Sequence, residues 1–326
     1  MKTIYVLVYE DAVPSSVAAP IDILVHSARM LQAAGRAPVF SVELISEKYR
    51  NVMLGGPLQF ICHRTFDQLP AADAGEHLVV IPAFAGEWDT VLEKNRGVIP
   101  WLAARYKAGT ELASLCLGTY FLAEAGLLDG KICTSHWRAF DDMRQRYPAI
   151  KLQPDSVITD QQGIYTGGGA FSSLNLLLYL VEKFCGHDIG VLVSKNFSIH
   201  RDHISQGHFS VFRGLNQHGD KLVLRAQDFI ENNYNREISV DEVATVVNMS
   251  KRNFIRRFKQ ATQNTPLEYI QKVKVEAVKK ALETGRQSVQ SLMYSVGYND
   301  SKTFRDVFRK ITGVTPQTYR NKYGQE

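Results

Sequence analysis

Over the first 190 residues, short apolar runs alternate with longer stretches whose apolar residues recur every three or four positions. TIYVLVY at 3–9, residues 38–45, HLVVI at 77–81, residues 110–115 and the 157–165 region are compact apolar runs and predict strands. Residues 16–34, 95–107, 117–125, 137–146 and 171–184 carry helical spacing. Strand–helix alternation of this kind predicts an α/β domain with a mostly parallel sheet and helices on both faces. Ligands of such sheets bind beyond the carboxyl ends of the strands. Three segments should meet there: the turn after Tyr9, the 82–87 loop and the residues from Cys116 onward.

The rhythm changes in the last third, where a pattern occurs twice. SVDEVATVVNMSKRNFIRRFKQATQNTPLEY begins at Ser239, and SVQSLMYSVGYNDSKTFRDVFRKITGVTPQTY begins at Ser288. Phe254, Phe258, Thr262, Thr265, Pro266 and Tyr269 recur fifty residues later as Phe304, Phe308, Thr312, Thr315, Pro316 and Tyr319. Each copy reads as a short helix opened by serine, a turn at Asn248 or Gly297, and a second helix starting at Ser250 or Ser301. That is the helix-turn-helix plan, and Thr265 to about Glu283 reads as the connecting helix. On each second helix the two phenylalanines share an inner face. Arg252, Arg256 and Lys259 are left on the outside of the first, with Ile255 and Arg257 at its flanks. Lys302, Arg305 and Arg309 occupy the outside of the second. A basic outer face on a short helix fits the major groove, where arginine reads guanine and the remaining charges meet phosphates.

Charge sharpens this division. Residues 218–326 hold 19 Lys+Arg against 12 Asp+Glu, whereas residues 1–217 hold 19 against 21. The formal +5 of the 326-residue chain is therefore a basic third joined to a near-neutral body, which points to a polyanionic partner. The length predicts two domains, and we expect them at 1–190 and 222–326, with 191–221 as the connection. That connection holds four of the nine histidines, His200, His203, His208 and His218, without zinc-site spacing, so no metal is expected. No run of eighteen apolar residues occurs, so no membrane span is expected. The N-terminus reads as a strand rather than a signal peptide, and the four cysteines lack CxxC pairing. A cytoplasmic, nucleoid-associated protein is the expectation.

Residues 222–322, and GYNDSKTFRDVFRKITGVTPQTYR above all, resemble the AraC/XylS-type DNA-binding domain. The resemblance implies contacts to bases of double-stranded promoter DNA from Arg252, Ile255 and Arg256 on the first recognition helix. On the second it implies Ser301, Lys302 and Arg305. Asp306 departs from the basic or small residues common there, so the second helix contributes less affinity or reads a base amino group. In the first domain, Ala19 to Leu24, VVIPAFAGEW, ASLCLGTYFLAEAGLLDGK and TSHW resemble the ThiJ/PfpI superfamily, which is related to class I glutamine amidotransferases and flavodoxin-like in fold. Together the halves resemble the GlxA-type family of transcriptional regulators. That resemblance implies a homodimer that senses a small metabolite, an amino acid or an amine, and that acts with RNA polymerase at promoters, more often as an activator.

ASLCLG at 113–118 has the form of a nucleophile elbow, a strand followed by a sharp turn into a helix. A catalytic thiol needs a base and an orienting group. His136 in TSHW stands at the position of the superfamily's site histidine. Leu117, however, follows the cysteine where hydrolytic members carry histidine, and Ser16 stands where others carry glutamate. Ala83 and Phe84 replace the usual oxyanion-hole glycines. We therefore expect no catalysis and no cofactor. The elbow reads as the floor of a ligand pocket formed by Ser16, Phe84, Cys116, Leu117, His136 and Trp137, with Cys116 a contact or a redox-sensitive thiol. Trp88 flanks the same place. The competing reading is a cysteine-dependent amidase or glyoxalase-type enzyme fused to DNA binding. Gly167-Gly168-Gly169 is read as a tight strand-to-helix connection, with anion binding as the alternative.

Overall fold

The computed structural model describes residues 1–324 except 55–57, 70–76, 155, 200–205, 207–211 and 213–217. His200, His203 and His208 lie outside the described residues. The chain divides into two compact units, Met1–Ile204 and Ser205–Glu326.

The strands of the first unit are β1 (Lys2–Leu7), β2 (Phe40–Ser46), β3 (Asn51–Met53), β4 (Gln59–Ile61), β5 (Arg64–Thr65), β6 (His77–Ile81), β7 (Glu111–Leu115), β8 (Ile132–Cys133), β9 (Lys151–Leu152), β10 (Ile158–Gln161) and β11 (Ile164–Gly167). Its helices are α1 (Pro14–Ala33), α2 (Trp88–Lys94), α3 (Val98–Lys107), α4 (Thr119–Glu124), α5 (Phe140–Arg146), α6 (Leu174–Cys185) and α7 (His187–Asn196). The main sheet runs β10-β11-β7-β6-β1-β2-β5. Every pairing in it is parallel except β10 with β11. The five strands β2-β1-β6-β7-β11 thus follow the flavodoxin-like order, with the topological switch beside β1 and β6. The central strands β1, β6 and β7 are apolar and largely buried, as a sheet covered on both faces requires. Helices α1, α6 and α7 pack together, and α3 packs with α4.

Two expectations are corrected here. The 157–165 region is not one strand but a hairpin, because Gln162 and Gly163 both take positive φ and reverse the chain. Residues 191–196, expected in the connection, continue α7 of the first unit, with Ile189 and Val193 buried in its core.

The second unit contains α8 (Lys221–Asn232), α9 (Val240–Val246), α10 (Lys251–Thr262), α11 (Pro266–Thr284), α12 (Val289–Ser295), α13 (Ser301–Thr312) and α14 (Pro316–Tyr323). The sequence repeat is a structural repeat. Ser239 and Ser288 cap α9 and α12 through their side chains, and Thr265 with Glu268 forms a capping box on α11. The second helix of the second copy is capped by Asp300, not Ser301, which is its first residue. Phe258 meets Tyr269 edge-on at 5.3 Å between ring centres, and Phe308 meets Tyr319 in the same way at 5.8 Å. Thr262 and Thr312 each donate back to the phenylalanine carbonyl four residues earlier, at 2.8 Å.

The two helix-turn-helix copies are fastened to each other through α11. Lys274 is 4% exposed, and its ammonium donates to the carbonyls of Arg236, ahead of α9, and Val296, after α12, both at 2.7 Å. It also lies 5.3 Å from the centre of the Tyr298 ring. Burial lowers its pKa from the ordinary lysine value. Gly297, at φ +72°, lies against the Arg236–Glu237 peptide so closely that a Cβ would stand 2.3 Å from the Arg236 carbonyl carbon.

Candidate effector pocket and DNA-reading helices

At the carboxyl edge of the sheet the three expected segments do meet. Val13 N–H donates to the Ala83 carbonyl at 2.8 Å, and Ala85 N–H donates to the Asp11 carbonyl at 2.9 Å. These bonds lace the loop after β1 to the loop after β6. The elbow lies beside them. Cys116 is 6% exposed and has φ +55°, a left-handed conformation uncommon for a side chain other than glycine, asparagine or aspartate. Gly118 makes the turn possible, since a Cβ there would stand 2.5 Å from the Pro82 carbonyl oxygen. The Cys116 carbonyl accepts from Ser135 Oγ at 2.9 Å and from Thr119 Oγ1 at 3.1 Å, so the corner is fixed by side chains from both flanking segments. Tyr9 OH donates to the Pro82 carbonyl at 2.5 Å beneath it. Burial first, and the nearby Cys116 second, push the Tyr9 phenol well above its ordinary pKa.

These elements enclose a pocket of about 430 Å³, within the range of small-molecule sites. Ser16, Phe84, Cys116, Leu117 and His136 all line it, as does Trp88. Trp137 does not. Its ring lies 5.2 Å from that of His136, outside the lining, because the 3-10 turn Trp137–Ala139 directs its neighbour Arg138 to the pocket instead. Phe84 lines the pocket but does not lie over it as a lid. It is 2% exposed and packs edge-on against Phe121 at 5.9 Å. Trp88 is stacked on Tyr120 at 5.3 Å. Tyr120 in turn donates to Asp142 at 2.7 Å, and Arg146 bridges Asp142 and Asp89, so the wall at α2 is tied to α5.

Arg138, Ser15, Phe171, Ser173 and the α6 leucines Leu174 and Leu177 also line the pocket and were not anticipated. Arg138 stands two residues beyond His136 in TSHWRAF, and that adjacency was the one available signal. The glycine run has a steric cause. A Cβ on Gly169 would stand 2.4 Å from His136 Cδ2, so the imidazole fills the space a side chain there would need. Asp22 is exposed on α1 and takes no part in the lining.

The polar groups do not assemble into a hydrolytic centre. Ser16 Oγ accepts the Ala83 N–H at 2.7 Å. A backbone donor suited to an oxyanion hole is thereby already engaged. His136 Nδ1 accepts the Arg138 N–H at 3.0 Å, which places the imidazole proton on Nε2. Burial first, and the Arg138 charge second, lower the His136 pKa to about 4. A neutral imidazole with this tautomer is a hydrogen-bond donor and a poor acceptor of a thiol proton. Among the described residues no cluster of metal-binding side chains occurs.

On the second unit, α10 presents Arg252, Arg256 and Lys259 to solvent, and α13 presents Ser301, Lys302, Arg305 and Arg309. Ile255 is half-buried. Asp306 is exposed between Arg305 and Arg309 on the same outer surface. Asn253, exposed one turn before Arg256, accepts from its guanidinium at 3.2 Å and thereby steadies it. Arg257 is separate in role. It pairs with Asp220 at 2.5 and 3.0 Å, and Asp220 caps α8.

An elbow pocket on a flavodoxin-like sheet, carried with a tandem helix-turn-helix unit, defines a two-part protein with a pocket-bearing α/β module and a DNA-binding module. Residues 2–183 match the DJ-1/PfpI family and residues 243–322 match a helix-turn-helix domain. The chain belongs to the DJ-1/PfpI family, and its second unit is an AraC-type helix-turn-helix domain. It is 24% identical over 300 residues to the HTH-type transcriptional regulator GbdR of Pseudomonas aeruginosa, covering 91% of this chain and 79% of that protein. It is 21% identical over 221 residues to the HTH-type transcriptional regulator GlxA of Rhizobium meliloti, covering 67% of each. The crystal structure of an AraC family transcriptional regulator from Pseudomonas putida shares the fold at a TM-score of 0.50 and 21% identity, over 60% of this chain and all of that one. No described helix is long and apolar enough to cross a membrane.

Proposed function

We propose that this chain is a DNA-binding transcriptional regulator whose α/β unit binds a small effector in the elbow pocket. The observation that carries this reading is the pair of repeated recognition helices, each with its phenylalanine seam buried and its basic face open to solvent. The relatives named as transcriptional regulators support it. In this reading Arg252, Arg256, Lys302 and Arg305 contact bases, while Lys259 and Arg309 meet phosphates. The fastening at Lys274 and Gly297 holds the two helices as one reading head. The chain acts as a homodimer on promoter DNA, with RNA polymerase as the partner of the bound complex. The effector works by favouring one arrangement of the DNA-binding units over another. The pocket floor is Cys116, and the thiol is a contact rather than a nucleophile. Footprinting of the full chain on its own promoter region tests this. Protection of two adjacent half-sites, changed by a pocket ligand, is expected. Equal binding to unrelated DNA at matched salt, with no ligand effect, refutes it.

A further inference from the structure

We propose that the pocket takes a ligand built from a compact apolar body and one carboxylate, held by Arg138 and the His136 Nε2–H. The inference rests on the effector reading above and narrows it to one chemical class. Its first support is the charge of the lining. Arg138 is the one ionised side chain among the described lining residues, and no aspartate or glutamate accompanies it. A cationic amine would enter a pocket with no counter-charge and with a guanidinium at its wall, whereas a carboxylate would find its complement.

The second support is the direction of the hydrogen bonds. His136 Nδ1 is occupied by the Arg138 amide, so Nε2 is the donor, and Nε2 has no hydrogen-bond partner among the described residues. The Arg138 side chain is exposed at the pocket wall, and its guanidinium likewise forms no ion pair or hydrogen bond within them. Ser16 Oγ accepts the Ala83 N–H and keeps its own hydrogen to give. Two unpartnered donors two residues apart, with a hydroxyl across the pocket floor, suit the oxygens of a carboxylate. The third support is the remaining wall. Val13, Leu174 and Leu177 offer the ligand body no polar side-chain partner and Trp88 adds an aromatic ring, so an apolar or aromatic body fits and a sugar or nucleotide does not.

Calorimetry and thermal shift on the full chain test this with three isosteric probes: 3-phenylpropionate, 3-phenylpropionamide and 3-phenylpropylamine. The carboxylate should bind at least about tenfold more tightly than the amide, and the amine should bind more weakly still. Arg138→Gln should bring the carboxylate down to the level of the amide, and Arg138→Lys should restore part of the difference. Melting of each ligand-free variant controls for its fold. An amide or amine that binds as tightly as the carboxylate overturns the proposal, as does a carboxylate affinity unmoved by Arg138→Gln. Where the amide or amine binds, and Ala19→Trp abolishes that binding by filling the pocket, the effector reading stands and the carboxylate assignment alone falls. No binding by any probe, with promoter control unchanged in Ala19→Trp, overturns both.

Discussion

Replacing Gly297 by alanine tests how the two helix-turn-helix copies are joined. The perturbation has two parts. A residue with a Cβ at φ +72° sits in left-handed backbone, at about 1–2 kcal/mol. The new methyl would also stand 2.3 Å from the carbonyl carbon of Arg236, 2.6 Å from its oxygen and 2.6 Å from Glu237 N. None of these is a side-chain end that can swing away. Relief requires the backbone ahead of α9 to move by roughly an ångström, and overpacking of this kind costs about 1–3 kcal/mol. The same carbonyl accepts from Lys274, so the displacement strains the buried ammonium as well. The sum is about 2–5 kcal/mol, a large share of the roughly 5–15 kcal/mol that holds a domain together.

The chain supplies its own assay. Its three tryptophans, Trp88, Trp101 and Trp137, all lie in the first unit. In urea, tryptophan fluorescence therefore follows that unit alone, while the helical circular dichroism follows both. Gly297→Ala should leave the fluorescence transition in place and move the remaining dichroism transition down by about 1–3 M, taking a slope near 1.5 kcal/mol/M. Gly219→Ala is the control. Gly219 lies in the same unit at φ +68°, and a Cβ there meets nothing within 4 Å, so its alanine variant carries the backbone strain without the clash. Equal shifts for the two variants would refute the argument that close backbone approach, rather than φ alone, demands glycine at 297.

Arg256→Ala should weaken specific DNA binding by about 1–3 kcal/mol and relax preference at one base pair, read by competition against random duplex; a uniform loss on both would assign it to phosphate. Arg257→Ala, one residue on, should leave base preference unchanged because that guanidinium serves Asp220. Cys116→Ala should preserve effector-dependent promoter control in a reporter strain, and loss of control together with loss of turnover of a candidate amide would instead favour an enzyme. Because the His136 pKa is lowered from 6.5 to about 4, the unfolded chain binds the extra proton first. The contribution of His136 to stability is therefore full above pH 6.5 and is lost as pH falls from 6.5 toward 4. The difference in unfolding free energy between wild type and His136→Gln should vary across that window and be flat above it, as followed by tryptophan fluorescence. Gly169→Ala should blunt the response to pocket ligands with little change in ligand-free melting, since its φ of −71° suits alanine and only the His136 ring must give way.

The parts of this molecule legible in its sequence are those set by local chemistry. HLVVI is a strand with the bounds its apolar run suggests, and Ser239, Ser288 and Thr265 cap helices because each is followed by the backbone donors such residues satisfy. The repeat was legible because matched phenylalanine, threonine and tyrosine positions repeat one packing unit. Elements held mainly by tertiary partners were not. The two-residue strands β5, β8 and β9 have no periodicity to read. α2 is a seven-residue helix whose start is held by Trp88 stacking and the Asp89–Arg146 pair, and whose end is held by the Lys94–Asp11 pair.

The pocket shows the same division. The strand-turn-helix form of 113–118 announced a corner, and Leu117 announced that a catalytic helper was missing. What each residue does there depends on which neighbour reaches it first. Ser16 reads as a lost glutamate in the sequence; in the fold its hydroxyl takes the Ala83 N–H, so the same substitution that removes a partner for the thiol also occupies a donor that acyl chemistry would use. His136 reads as a base, yet the turn that follows directs the Arg138 amide at Nδ1 and turns the ring into a donor. Two residues that each look like an incomplete enzyme thus combine into a surface of donors facing an apolar cavity. That arrangement suits a negative group and gives it nothing to react with, as the proposed effector role requires.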